Sequence, residues 1–221
     1  TIAYRSDISL AMAETTLQLQ RRTPDDARLK WANELMSQIG DRLPRGWSEV
    51  YSFEQQYLHD DPMAEIKLQA IRIGELGITA IPDEVYGITG IKLKNRSPLP
   101  LIMNIELANG AEGYIPPPEQ HVLGGYTTWA ARTAGLEVQA EPRIVETLTQ
   151  LLEQVSNQPH RPHADGLHKY ASAVLESKPA ALWRLGEVDR GAAALTSEAD
   201  IRPIAHDAME QHNATYEDGV V

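Results

Sequence analysis

The sequence predicts an α/β fold, a mixed sheet with flanking helices, on three observations. Leu76-Gly77-Ile78-Thr79-Ala80-Ile81 is apolar nearly throughout and stops at Pro82, as a buried strand does. Leu99 to Leu107 is a second such run, closed by the turn signal Ala108-Asn109-Gly110. Ile144, Val145, Leu148, Leu151, Leu152 and Val155 recur at helical spacing after Pro142, so strands alternate with helices along the chain.

The other elements follow in order. Ile8, Leu10 and Met12 alternate, and Leu17 and Leu19 alternate after them, so the first 20 residues lean toward strand. Residues 23–40 predict a helix: Thr23 caps, Pro24 suits the first turn, Asp25 and Asp26 suit its positive end, and Leu29, Ala32, Leu35, Met36 and Ile39 lead to Gly40 as the stop. Ser48 caps a second helix to about Leu58, with Val50, Phe53 and Tyr57 on one side. Ile66, Leu68 and Ala70 alternate with Lys67 and Gln69, which predicts a strand with one wet face. Pro116-Pro117-Pro118 reads as a stiff extended segment, and residues 157–166, opening Asn157-Gln158-Pro159-His160-Arg161-Pro162-His163, as a linker.

Length and composition bound the function. At 221 residues the chain is about one and a half domains and long enough for a core without staples. Net charge is −11 and is spread along the chain, which argues against nucleic acid and anionic membrane surfaces as partners. There is no Cys, which removes disulfides, thiolate metal sites and a thiol nucleophile. No apolar run approaches the ~20 residues of a membrane span. The chain starts Thr1-Ile2-Ala3 and ends Asp218-Gly219-Val220-Val221 in an element that reads as unfinished, so a fragment of a longer protein is expected.

Several polar clusters are better explained without chemistry. His160, His163 and His168 lie close together, but the prolines among them leave any ligand set unheld. His59-Asp60-Asp61 reads as a polar helix end. No nucleophile elbow, phosphate loop or His-Glu-x-x-His is present. The stronger candidates are Glu84, just past the end of a buried strand, and Tyr114, reached from the end of the next one, because open α/β sheets bind ligands beyond neighbouring strand ends. The plain alternatives are a helix N-terminal Glu and a turn tyrosine.

Residues 60–156, and more loosely 1–59, resemble the later part of the neutral ceramidases, zinc-dependent amidohydrolases that cleave the N-acyl bond of ceramide. The resemblance is carried by Ile71 to Glu84, by the block from Asn104 to His121, and by Asn109, Tyr114 and then Tyr126 twelve residues on. It implies that residues 1–156 are the C-terminal part of a catalytic domain, with Glu84 and Tyr114 as zinc ligands and Tyr126 helping to hold a developing oxyanion. It also implies a lipid-like amide substrate and an extracytoplasmic enzyme, secreted or periplasmic. Two His ligands and a Ser come from earlier in such chains and have no counterpart here, so this chain supplies about half a zinc shell. It departs from the family at Asp83, where the family has Gly, at Val85 for Phe, at Pro116-Pro117 for Thr-Thr, and at Glu119-Gln120-His121 for Glu-Glu-Tyr.

Residues 167–221 resemble the opening of a laminin-G-like, concanavalin-type β-sandwich, through Tyr170 to Leu175, Ala181 to Glu187 and Ala214 to Val220. That implies an incomplete sandwich segment whose parent binds glycan or protein. The rival to the hydrolase is therefore a non-catalytic extracellular surface protein, in which the α/β part is a scaffold. A third possibility is a hydrolase with the same metal shell and another substrate.

Overall fold

The computed structural model describes residues 6–162. The expected laminin-G-like segment, His163 and His168 lie outside the described residues. Strand β1 (Leu10–Gln20) is followed by helices α1 (Asp26–Ile39) and α2 (Trp47–Asp60), which pack on each other. Strand β2 (Met63–Ile73) runs back antiparallel along the whole of β1, from Leu10 opposite Ile73 to Gln20 opposite Met63. Gly74, at φ 60°, leads the tight turn into β3 (Leu76–Ala80), antiparallel to β2.

The chain then forms the two-residue strand β4 (Glu84–Val85) and helix α3 (Gly87–Arg96), and returns as β5 (Leu101–Ile105), parallel to β3. A parallel neighbour needs such a crossover, and α3 supplies it. The sheet is mixed, in the order β1-β2-β3-β5. Beyond it come β6 (Tyr114–Ile115), α4 (Pro118–Leu123), a single 3-10 turn at Tyr126–Thr128, and α5 (Ala140–Ser156).

Helix α5 closes one face of the sheet. All six residues that set its spacing are buried, against Ala13 and Leu19 from β1 and Ala64, Ile66, Leu68 and Ala70 from β2. Each of Ile144, Leu148 and Leu152, fully removed from water, contributes about 1.5–3 kcal/mol. Small residues on the strands let the helix approach: a Cβ on Gly77 would meet Leu152 at 3.1 Å and Leu99 at 2.9 Å. At the first turn of α5, fully buried Glu141 receives Lys92 Nζ at 3.0 Å on both oxygens and the Thr89 hydroxyl at 2.9 Å, which fastens α3 to α5.

The opposite face carries no helix among the described residues. Leu10, Ile73, Leu76 and Leu101 stand in register across four strands, and Met12, Ile71, Ile78 and Met103 form the next row. Leu10 is 74% exposed and Leu101 58%. Further along β1 and β2 the same face turns polar, with Gln69 donating to Glu14 and Gln18 to Glu65.

Several expectations need correcting. Ile8, Leu10 and Met12 are exposed on the outer face, because the apolar phase of β1 switches from even to odd positions before Leu17 and Leu19. The run Leu99–Leu107 is an edge strand with a wet side: Leu101, Met103 and Ile105 all look outward. Helix α1 is capped by Asp25, whose side chain accepts from the Arg28 amide, rather than by Thr23. Helix α2 begins at Trp47 and buries Ser52, Glu54, Gln55 and Leu58 instead of Val50, Phe53 and Tyr57. The reason is polar docking: Glu54 binds the Arg132 guanidinium and amide, and Gln55 donates to Ala130 O at 2.9 Å. Pro118 opens α4, where its missing N–H costs nothing, rather than extending the proline run. Residues 157–162 are pinned, since His160 bonds Glu153 and Arg161 donates to the carbonyls of Arg96 and Leu99.

Candidate functional site

The site is built where β3 leaves the sheet. Pro82 ends the strand, and the chain turns through Asp83 into β4, which pairs in parallel with β6. In that pairing Glu84 is the direct partner of Tyr114, and Val85 of Ile115. The Glu84 amide donates to Gly113 O at 3.0 Å, and the Tyr114 amide to Thr133 O at 2.8 Å, so three segments of chain are stitched at one corner. Gly113 is required there. It sits at φ 86°, and a Cβ would lie 2.2 Å from Thr133 O.

Tyr126 arrives from the other side, through Gly124 and Gly125, both at positive φ. Its ring meets that of Tyr114 edge-on, with centroids 5.4 Å apart. The neighbouring Tyr126 hydroxyl and then the Glu84 charge hold the Tyr114 phenol above the usual range of a tyrosine. Tyr126 itself is 63% exposed. All three residues singled out from the sequence are thus together in one place.

The corner rests on buried polar groups. Asp83 is fully buried, its Oδ1 accepts from the Glu112 amide, and its Oδ2 has no hydrogen-bond partner among the described residues. Burial pushes its carboxyl up to about 7, against the pull of the Glu112 amide bond. Buried Arg21 reaches the Glu112 carboxylate and lies 3.5 Å from Asp61. His121, on α4, is pushed down to about 4, by burial and then by the nearby Arg22 charge.

The donors suit a small cation in kind and fall short in number. Glu84 offers a carboxylate and Tyr114 a phenol oxygen, whose proton a cation would have to displace. Among the described residues no three His, Asp or Glu side chains converge as a metal cluster. Zinc takes four donors in a closed site and three beside an open position, so at least one more has to come from elsewhere.

No protein-family model and no curated protein matches the chain. Among solved structures the chain is similar to a neutral ceramidase from Pseudomonas aeruginosa, at 11% identity and a TM-score of 0.40, over 76% of this chain and 31% of that one. It is also similar to a ceramidase complexed with C2, at 15% identity and a TM-score of 0.37, over 45% of this chain and 16% of that one. The chain spans less than a third of the length of either. Likenesses this distant leave the site to be judged on its own geometry.

Asn109, part of the sequence pattern, is turned elsewhere: its side chain donates to Gln69 on β2 at 2.8 Å. Two neighbours were missed. Glu106 accepts from the Val85 amide at 3.2 Å, and the Tyr86 hydroxyl bonds that of Thr127 at 2.6 Å, beside Tyr126. Glu106 carries the kind of signal that picked out Glu84, a carboxylate just past the end of a strand. Tyr86 carries none, because its partner is 41 residues away.

Proposed function

We propose that this chain supplies one wall of a zinc site in a hydrolase that cleaves an N-acyl amide of a lipid-like substrate outside the cytoplasm. The observation that carries the reading is the parallel pairing that makes Glu84 and Tyr114 immediate neighbours, with the Tyr126 ring against Tyr114. Glu84 and Tyr114 hold the cation, through a carboxylate and a phenolate oxygen. When bound, zinc supplies a Lewis acid for the amide carbonyl. Tyr126, exposed and seated by its ring contact with Tyr114 and by the 3-10 turn, donates its O–H to the oxygen on which negative charge develops. The exposed apolar side chains of Val122 and Leu123, on α4 a few residues before Tyr126, suit an alkyl chain lying over the corner.

Zinc content and affinity of the full-length protein test this reading, with Glu84→Ala and Tyr114→Phe compared to wild type. The expected result is stoichiometric zinc in wild type and affinity reduced by about tenfold or more in each variant. Tyr126→Phe is expected to keep zinc and to lower kcat on an N-acyl amide by about 10²-fold. A wild type free of zinc, or variants that bind as well as it does, removes the metal assignment. The surface-protein reading then takes its place.

A further inference from the structure

Between β5 and β6 lies a loop that its own sequence does not hold in shape. Leu107 at φ 54°, Asn109 at φ 73°, Gly110 at φ 152° and Gly113 at φ 86° all sit at positive φ within seven residues. For Leu107 that conformation is disfavoured by its Cβ. The loop keeps its shape because β4 and the residues before it anchor it at five points. Ile81 O accepts from the Ala108 amide at 2.9 Å, Asp83 O from the Leu107 amide at 3.3 Å, and Gly113 O receives the Glu84 amide at 3.0 Å. Side chains make the other two: Glu106 accepts from the Val85 amide at 3.2 Å, and Asp83 Oδ1 accepts from the Glu112 amide deep in the loop.

Asp83 is a poor stability device. It is fully buried, and one of its oxygens has no hydrogen-bond partner among the described residues, which leaves a desolvated acceptor uncompensated. What it does accomplish is local. It grips the backbone two residues before Tyr114 from the position next to Glu84, so one carboxyl ties together the two chain segments that carry the oxygen donors. Arg21 braces the same residue from behind, through the Glu112 side chain.

We propose that Asp83 is a positioning residue, which fixes from inside the fold the register in which the strand of Tyr114 meets that of Glu84. This rests on the reading of those two residues as the donors. Loss of the Asp83 anchor frees the loop from Leu107 to Gly113 and lets Tyr114 drift from Glu84, while the sheet under α5 stays folded.

Amide hydrogen exchange by NMR on the full chain decides it, alongside zinc affinity measured by competition with a chromophoric chelator. In Asp83→Ala the amides of Glu84, Glu112 and Tyr114 are expected to exchange at least tenfold faster. Those of Ile66 and Leu68 should stay as in wild type, and the NOE between the Tyr114 and Tyr126 rings should be lost. Asp83→Asn keeps a carbonyl oxygen for the Glu112 amide and should restore both protection and NOE. Zinc affinity should fall about tenfold in the Ala variant and be kept in the Asn variant. Should Asp83→Ala not fold, Asp83→Ser takes its place, since its shorter side chain removes the same bond and keeps a polar atom. Unchanged site amides, equal acceleration of core and site amides, or no rescue by Asn each overturns the proposal. A wild type that binds no zinc overturns the metal reading instead, and the exchange rates still decide the role of Asp83.

Discussion

The layer of β1, β2 and α5 and the corner of Glu84, Tyr114 and Tyr126 are held by opposite means. In the layer the work is done by apolar side chains repeated at the periods of strand and helix, with Leu68, Ala70, Ile144, Leu148 and Leu152 all at 0% exposure. In the corner the strands are two residues long, and shape comes from single hydrogen bonds to buried groups such as Asp83 and from glycines such as Gly113. Burial tolerates small errors because it is summed over many contacts. A corner built from single bonds does not, and so it can fix a few donor atoms in place at little cost in stability elsewhere.

Substitutions can separate the two regions. The largest effect should come from Leu148→Ala, which leaves a hole under the sheet and lowers stability by about 2–5 kcal/mol, read as a shifted urea midpoint with unchanged slope. Lys92→Met leaves the buried Glu141 carboxylate without its cation and should cost about 3 kcal/mol by the same measurement. Most of that should return when Glu141→Gln is added. Gly113→Ala should cost about 1–3 kcal/mol globally, yet abolish the Tyr114–Tyr126 NOE, because its Cβ cannot fit against Thr133 O.

The smallest effect sharpens the contrast through pH. Asp83 has a folded pKa above its unfolded one, so its contribution is present below about 4 and lost as pH rises toward 7. His121 has a folded pKa below its unfolded one, so its contribution is present above 6.5 and lost as pH falls toward 4. The two slopes oppose each other across that window, each bounded by about 1.4 kcal/mol per pH unit. Melting temperatures from pH 4 to 6.5 should therefore rise with pH more steeply in Asp83→Asn than in wild type, and less steeply in His121→Gln. Parallel profiles for all three proteins would mean that neither group titrates as its surroundings dictate.

The same division explains what could be read from the sequence. Helix α5, the β2 alternation and the strand ending at Pro82 were legible because each is a local period with an apolar face. The partnership of Glu84 with Tyr114 was legible as two strand ends meeting. What escaped notice depends on distant partners. Helix α3 has Thr89 and Lys92 on its buried side, satisfied by Glu141 some fifty residues away. Helix α2 shows its Phe53 and Tyr57 to solvent because Glu54 and Gln55 find partners near residue 130. Asp83 appeared only as a departure from a family's Gly, and nothing local announced that its carboxyl reaches Glu112.

The apolar rows that no described residue covers on the outer face of the sheet have a consequence for anyone who handles the chain in a tube. Leu10, Met12, Leu101 and Met103 form a greasy panel whose affinity for other greasy panels rises with temperature and with sulfate and weakens in the cold. The chain should fluoresce with a dye such as ANS even when fully folded, salt out early, and keep best on ice in dilute, low-salt buffer. Lysine at Met12 and Leu101 should quench the dye signal and raise solubility, and leave the melting temperature nearly unchanged.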